Sequence, residues 1–286
     1  MKNTSLMIFL TFDLEEWPVS GKYDFDQKFN KSVEFSTQGC LNLLDLLDAY
    51  KVKATFFITG YFAKANPKIV KLLADKGHEI ACHAFDHVDI TKDSPEQIEA
   101  HINQSKKILS DLSGQKIIGF RAPFFHANGI IVQILEQSGF HYDSSVHPAI
   151  VPGYYYNFRD SLAPYFLKAK INPEGNQAKG IWEIPVSVIP GIRFPISWWW
   201  MRHLGAWITI LGCKINLIQK RPVVLYFHPW EFAELPKIKG IPGHITSKCG
   251  KQNLLKLKKV IAAFSGKYKF DTLKSYLDNN LAKGKK

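Results

Sequence analysis

Two histidines four residues apart, His83 and His87, are the first residues of this 286-residue chain whose types and spacing could do chemistry. On a helical turn, positions i and i+4 face the same way, so both imidazoles could grip one metal ion. In a chain with ten histidines the pair alone would also fit two surface or capping rings. Asp13, Glu15 and Glu16 add three carboxylates within four positions, and their mutual repulsion is costly unless a cation compensates. Two imidazoles and one carboxylate leave coordination positions open for water and substrate, which marks a catalytic ion. Arg121, in Arg121-Ala122-Pro123-Phe124, supplies a permanent cation, whose bland alternative is a surface salt bridge. His228 lies between Phe227 and Pro229-Trp230. Those apolar neighbours would hold its ring in place, as they would for a hydrogen-bonded core histidine.

Each of these groups follows a predicted strand. Residues 6–12 form a short apolar run suited to a strand buried on both faces, and Asp13 and Glu15 follow it. Residues 54–59, 78–82, 116–120 and 223–227 read as further strands. His83, Arg121 and His228 follow the last three of these, and Asp143 follows the apolar stretch 140–142. Helices are expected over 40–50, over 66–76 with Pro67 at the first helical position, and over 128–137. Ser94-Pro95-Glu96-Gln97 opens a further helix with a capping box, running to about residue 112. A final amphipathic helix covers 253–264. Strand and helix alternate, which argues for parallel strands with crossover helices, as a barrel or a doubly wound sheet. In such folds the carboxyl ends of the strands gather in one place and build the site.

The length fits one α/β domain over residues 1–286, and hydrophobic residues at 46% provide for a sizeable core. Residues 148–220 are expected to be an insertion or substrate loops, with a Trp-rich segment. Tyr154-Tyr155-Tyr156 and Trp198-Trp199-Trp200 there could stack on sugar rings or simply pack. The formal charge is +12. Residues 251–286, a basic helix and tail, hold ten Lys against two Asp. That surplus fits a solvated helix face, or attraction to an anionic membrane surface. No basic motif has the spacing of a nucleic-acid reader, so nucleic acid is not an expected partner. Residues 198–218 are apolar and Trp-rich with a few cations, which would suit an interfacial helix as well as a buried one. Cys40, Cys82, Cys213 and Cys249 are far apart in sequence and suggest no disulfide framework. A cytoplasmic setting, with membrane association as the alternative, is therefore expected.

The clusters occur in a recognisable order. The chain resembles the polysaccharide deacetylase superfamily, the NodB-homology domain of carbohydrate esterase family 4, over about residues 6–232. Thr11-Phe12-Asp13 looks like the first motif, residues 83–87 the second, Arg121-Ala122-Pro123-Phe124 the third, Asp143-Ser144 the fourth and Tyr226-Phe227-His228 the fifth. Phe12-Asp13-Leu14-Glu15-Glu16-Trp17, Asp143-Ser144-Ser145 and residues 221–231 look closest to the deacetylases of exosortase and exopolysaccharide loci. Departures are Leu14, where the common motif has a second Asp, and Ala84, where many relatives carry Ser or Thr. The ligand must then shift to Glu15 or Glu16, and an Asp-x-acid spacing favours Glu15.

The resemblance implies a single-domain, distorted (β/α)7-type barrel with irregular substrate loops. It also implies removal of an N-acetyl group from an amino sugar in a polysaccharide, oligosaccharide or lipid-linked glycan. Zinc is the expected ion, with cobalt, manganese or nickel as alternatives. In that scheme Glu15, His83 and His87 hold the ion and Asp13 is the general base, fixed by Arg121. His228 protonates the leaving amine, oriented by Asp143. A backbone N–H near Phe124 stabilises the oxyanion, and Trp230 contacts substrate. The alternatives are an amidohydrolase for a non-sugar amide, or a glycan-binding relative without catalysis.

Overall fold

The computed structural model describes residues 6–17, 32–152, 155–167 and 180–281. Seven strands form its frame: β1 (Met7–Leu14), β2 (Thr55–Ile58), β3 (Glu79–Cys82), β4 (Gly119–Phe120), β5 (Tyr142–Asp143), β6 (Ile181–Glu183) and β7 (Val223–Phe227). They pair in parallel in the order β7-β1-β2-β3-β4-β5-β6. A shorter strand β8 (Lys269–Phe270) also pairs with the start of β1. Residues Tyr165–Leu167 flank β6 antiparallel. The sheet curls back on itself. Past β6, the Ser187 N–H donates to the Val224 carbonyl at 2.9 Å, and Ser187 Oγ accepts from Val224 N–H at 2.9 Å. The distorted (β/α) barrel expected of the chain is therefore the fold it adopts, with an irregular segment as its seam.

The eight residues of β1 are all buried, as the apolar run predicts, and the strand continues through Asp13 to Leu14. Period two sorts them. Ile8, Leu10, Phe12 and Leu14 join the large core between the sheet and the helices. Met7 and Phe9 pack inside the barrel with Phe57, Ala81, Tyr142 and Val224. Thr11 and Asp13 continue that inner row, and Glu15 is its next member. Ala81 leads in the same way to His83, and Val224 and Tyr226 to His228. Gly119 has to be glycine here, because a Cβ would lie 2.1 Å from the Tyr142 ring that plugs the barrel. Tyr142 in turn donates to the buried Glu79 at 2.8 Å.

The outer helices are α1 (Glu34–Ala49), α2 (Pro67–Asp75), α3 (Pro95–Ser113), α4 (Gly129–Gln137), α5 (Trp198–Leu204), α6 (Ala206–Ile218) and α7 (Lys251–Phe264). The capping box of α3 forms as the sequence predicts, with Ser94 and Gln97 each bonding the other's backbone, and Gly114 closes the helix at φ 68°. Helix α1 begins at Glu34, earlier than the expected residue 40. It meets the turn after β7 so closely that a Cβ on Gly39 would lie 1.8 Å from the Pro229 carbonyl oxygen. Residues 198–218 form two helices, because Gly205 at φ 109° breaks the run. No helix among the described residues is long and apolar enough to cross a membrane.

Candidate metal centre and active site

Glu15, His83 and His87 converge at the carboxyl ends of the strands, with candidate ligand atoms all within 4.8 Å of one another. Glu15 Oε2 lies 2.9 Å from His87 Nε2 and 3.4 Å from His83 Nε2. Glu16 is turned away. Its two oxygens accept from Thr59 Oγ1 and from the His87 backbone N–H, each at 2.8 Å, so it shapes the loop. The period-two row from Met7 to Glu15 explains why these adjacent glutamates diverge.

The tautomer of His83 tests whether this set fits a cation. Its Nδ1 lies 2.7 Å from the Arg121 carbonyl, which can only accept, so Nδ1 carries the proton. In the neutral ring Nε2 then presents a lone pair toward a carboxylate. Glu15 Oε1 and His83 Nε2 are buried without a hydrogen-bond partner. Facing acceptors of this kind are costly unless positive charge sits between them. A divalent cation suits this donor set of imidazole nitrogens and a carboxylate oxygen. Burial opposes ionisation of Glu15, but His87, His228 and His83 outweigh it and hold the carboxyl well below the usual range. Burial opposes a charge on His87 in turn, and Glu15 overcomes this and raises its pKa.

Asp13 stands beside this set and is gripped by Arg121. The guanidinium donates to Asp13 Oδ1 at 2.7 Å and to Thr11 Oγ1 at 2.9 Å, and to the Ser144 carbonyl and Oγ at 3.0 Å each. It is fully buried, with its centre 4.2 Å from the Phe57 ring centroid. His228 approaches from β7, with Nε2 3.9 Å from Glu15 Oε1. Burial opposes its charge too, but Glu15, Glu231 and Asp13 together raise its pKa. The Phe124 ring packs edge-on against His87 at 4.3 Å.

Backbone strain gathers on the same loops. Ala84, Phe124, Phe125 and Trp198 all have left-handed φ, between 48° and 61°. Such conformations cost about 1–3 kcal/mol for non-glycine residues and persist where surrounding structure enforces them.

Two expectations need correction. Asp143 does not orient His228. It accepts from Ser145 Oγ at 2.5 Å and pairs with Glu183, because β5 and β6 set the two carboxyls in register. The carboxylate beside His228 Nδ1 is Glu231, at 3.6 Å. Trp230 is not an open sugar platform. Only 1% exposed, it stacks behind His228 with centroids 5.4 Å apart, because the turn Pro229–Phe232 folds it inward. The half-buried ring beside His228 is Trp198, edge-on at 5.2 Å. Tyr154 lies outside the described residues, as do the side chains of Tyr155 and Tyr156. The sequence reading missed Glu231 and Arg202, although His-x-x-Glu is the spacing of one helical turn.

Burial raises the pKa of Asp143 to about 6 and that of Glu183 further, as expected of two carboxyls that share one proton. A carboxyl with a raised folded pKa binds more protons folded than unfolded. Its stabilisation is complete below the unfolded value of about 4 and is lost as pH rises through the folded value. The contribution of this pair to Tm should therefore fall as pH rises from roughly 4 through 6. Glu183→Gln should flatten that decline, since its amide can still accept from Val146 N–H. Calorimetry across pH checks this, and equal slopes in both proteins would remove the shared proton.

The geometry can be set beside known proteins. A family profile described as "Polysaccharide deacetylase" matches residues 2–142, and one described as "Domain of unknown function (DUF3473)" matches residues 144–278. The "Peptidoglycan deacetylase-like protein FGM2" of Gibberella zeae is 27% identical over 150 residues, 51% of this chain and 44% of that protein. A peptidoglycan deacetylase of Helicobacter pylori is 31% identical over 135 residues, 46% of each chain. The matches thus span less than half the length of these relatives. A solved Mycobacterium smegmatis protein assigned to the polysaccharide deacetylases superposes with a TM-score of 0.68 at 19% identity, covering 99% of this chain and 93% of that one. An allantoinase superposes at 0.67 with 15% identity, covering 98% and 93%. At such identities the superpositions speak for the fold alone, and the similarity to the polysaccharide deacetylase profile covers residues 2–142, just under half of this chain.

Proposed function

We propose that this chain is a metal-dependent hydrolase that removes N-acetyl groups from amino sugars of a polysaccharide, oligosaccharide or lipid-linked glycan. The observation that carries this reading is the buried Glu15, His83 and His87 set, with a carboxylate and an imidazole beside it. Zinc is the ion proposed. Bound there, it would lower the pKa of water to about 7 and polarise the amide carbonyl. Asp13, held by Arg121, takes the proton of the attacking water. The backbone N–H at Phe124 faces the oxyanion. His228 gives a proton to the leaving nitrogen. Trp198 offers the sugar an apolar face. The relatives named for peptidoglycan deacetylation support N-acetylated glycan as the substrate class. The stretches 12–17 and 221–231 support the exosortase-associated branch. The matched halves are proposed to work as one domain, because β6 and β7 of the second complete the barrel begun by the first.

The test is acetate release from N-acetylglucosamine oligomers, peptidoglycan fragments and lipid-linked amino sugars. Zinc-loaded protein should release acetate from at least one, and chelation should abolish it. Zinc-loaded, folded protein that releases none from the whole panel would overturn the reading. Ammonia or another amide product in place of acetate would point to the non-sugar amidohydrolase.

Contact with the cytoplasmic face of a membrane is proposed as the setting. Trp207, Leu211 and Ile218 form one stripe on α6, respectively 60%, 43% and 79% exposed. Helix α7 packs beside it with Lys251, Lys258 and Lys259 exposed. An apolar stripe flanked by lysines matches the interface of an anionic bilayer. Lys283, Lys285 and Lys286 lie outside the described residues. The protein should pellet with anionic vesicles, less at high salt, and less still as Trp207→Ala. No pelleting above that with neutral vesicles would end the idea.

A further inference from the structure

We infer that Glu231, braced by Arg202, is the positioning residue for His228, in the place the sequence assigns to Asp143. The inference rests on the deacetylase reading for its chemistry, but its geometry stands apart. Glu231 Oε2 accepts the His228 backbone N–H at 3.0 Å and lies 3.6 Å from Nδ1 of the same ring. Its other oxygen lies 3.3 Å from the Arg202 guanidinium. Glu231 and Arg202 are fully buried. The Nδ1 separation is that of an ion pair, and such contacts often tighten only when substrate binds.

The ring itself has little freedom. Trp230 stacks on it at an interplanar angle of 25°. Trp198 and Tyr226 meet it edge-on at 5.2 Å and 5.9 Å. With Nδ1 turned to Glu231, Nε2 is the nitrogen that faces Glu15 and the site. Arg202 is fixed in turn, since it donates to Cys249 Sγ at 3.1 Å and its carbonyl accepts from Lys256 Nζ at 2.6 Å. A buried carboxylate without this cation would be costly to keep charged.

The chemistry follows from the tautomer. As the C–N bond breaks, its electron pair stays on nitrogen, and that nitrogen takes the proton from His228 Nε2. The ring left behind is neutral and keeps its remaining proton on Nδ1, directed at the Glu231 carboxylate. Glu231 thus favours both the imidazolium and the tautomer that results from the transfer. All three members of this relay lie in residues 144–278, whereas the proposed ligands, Asp13 and Arg121 lie in residues 2–142.

Glu231→Gln keeps shape and an acceptor for the His228 N–H while removing the charge. It should lower kcat by about 10–100-fold, the usual loss for residues behind a metal site, with KM and zinc content unchanged. In a His228→Ala background the same substitution should change kcat no further. An undiminished kcat, or an equal loss in both backgrounds, would overturn the inference, because a purely architectural role acts regardless of the imidazole. If Glu231→Gln fails to fold, NMR of zinc-loaded wild type labelled with 15N-histidine decides instead, with His228 assigned by comparison with His228→Ala. A proton on Nδ1 supports the relay and a bare Nδ1 refutes it. That readout needs no turnover, so failed acetate release would sink the deacetylase reading while leaving the relay to be judged separately.

Discussion

His83→Ala should yield a folded protein that holds zinc far more weakly than wild type and releases acetate at the background rate. Replacing groups behind a metal site costs roughly 10–100-fold in affinity, and loss of a ligand should cost at least that. His83 contributes twice. Its Nε2 faces Glu15 at 3.4 Å, and its Nδ1–H bonds the carbonyl of Arg121 at 2.7 Å. The second contact ties the metal set to the residue that holds Asp13, so His83→Gln is a useful companion that retains a side-chain donor. Elemental analysis after dialysis and zinc titration by calorimetry give the readout. Circular dichroism checks the fold. A variant with full zinc occupancy and normal acetate release would remove His83 from the ligand set.

Asp13→Asn should retain zinc and lose turnover, by about 10²–10⁴ for a positioned general base. Asparagine can still accept from Arg121 through its oxygen, so the local geometry is largely kept. The variant cannot take a proton from water. It also leaves Arg121, fully buried, without its carboxylate. Removing one partner of a buried pair can cost about 3–5 kcal/mol, but the bonds to Thr11 and Ser144 remain to offset this. The expected pattern is thus a lowered Tm, intact zinc and a collapse of kcat, read by calorimetry, elemental analysis and steady-state kinetics. Near-normal kcat with bound zinc would assign the base to another group.

Much of the site was legible because strand ends carry it. The apolar run before Asp13 could be read as a buried strand, and its two-residue period points Asp13 and Glu15 the same way. The strand outlasts its expected end at residue 12 because Arg121 compensates the charge of Asp13 inside the barrel. The capping box at Ser94 was equally plain, since its bonds are local. Other features depend on tertiary structure that no local pattern reports. Strand β6 is three residues long and gains its identity by pairing with β5 on one side and Tyr165–Leu167 on the other. The partner of His228 was misassigned because Asp143 follows a strand, as the site residues do. Only the register of β5 with β6 reveals that its neighbour is Glu183. Glu231 needed the turn Pro229–Phe232 to be known as helical before its carboxylate could be seen to return to His228.

The central position of β1 has a practical consequence. Five consecutive positions of β1 pair with β7, from a remote part of the chain. A fragment ending near residue 142 would keep the ligand histidines but bare that edge of an entirely buried strand, together with the outer edge of β5. Unpaired edges of this kind recruit other chains. Cutting this protein at the boundary between its two profile matches should therefore give aggregate, not a smaller catalyst, while co-expression of the two pieces would offer each exposed edge its natural partner.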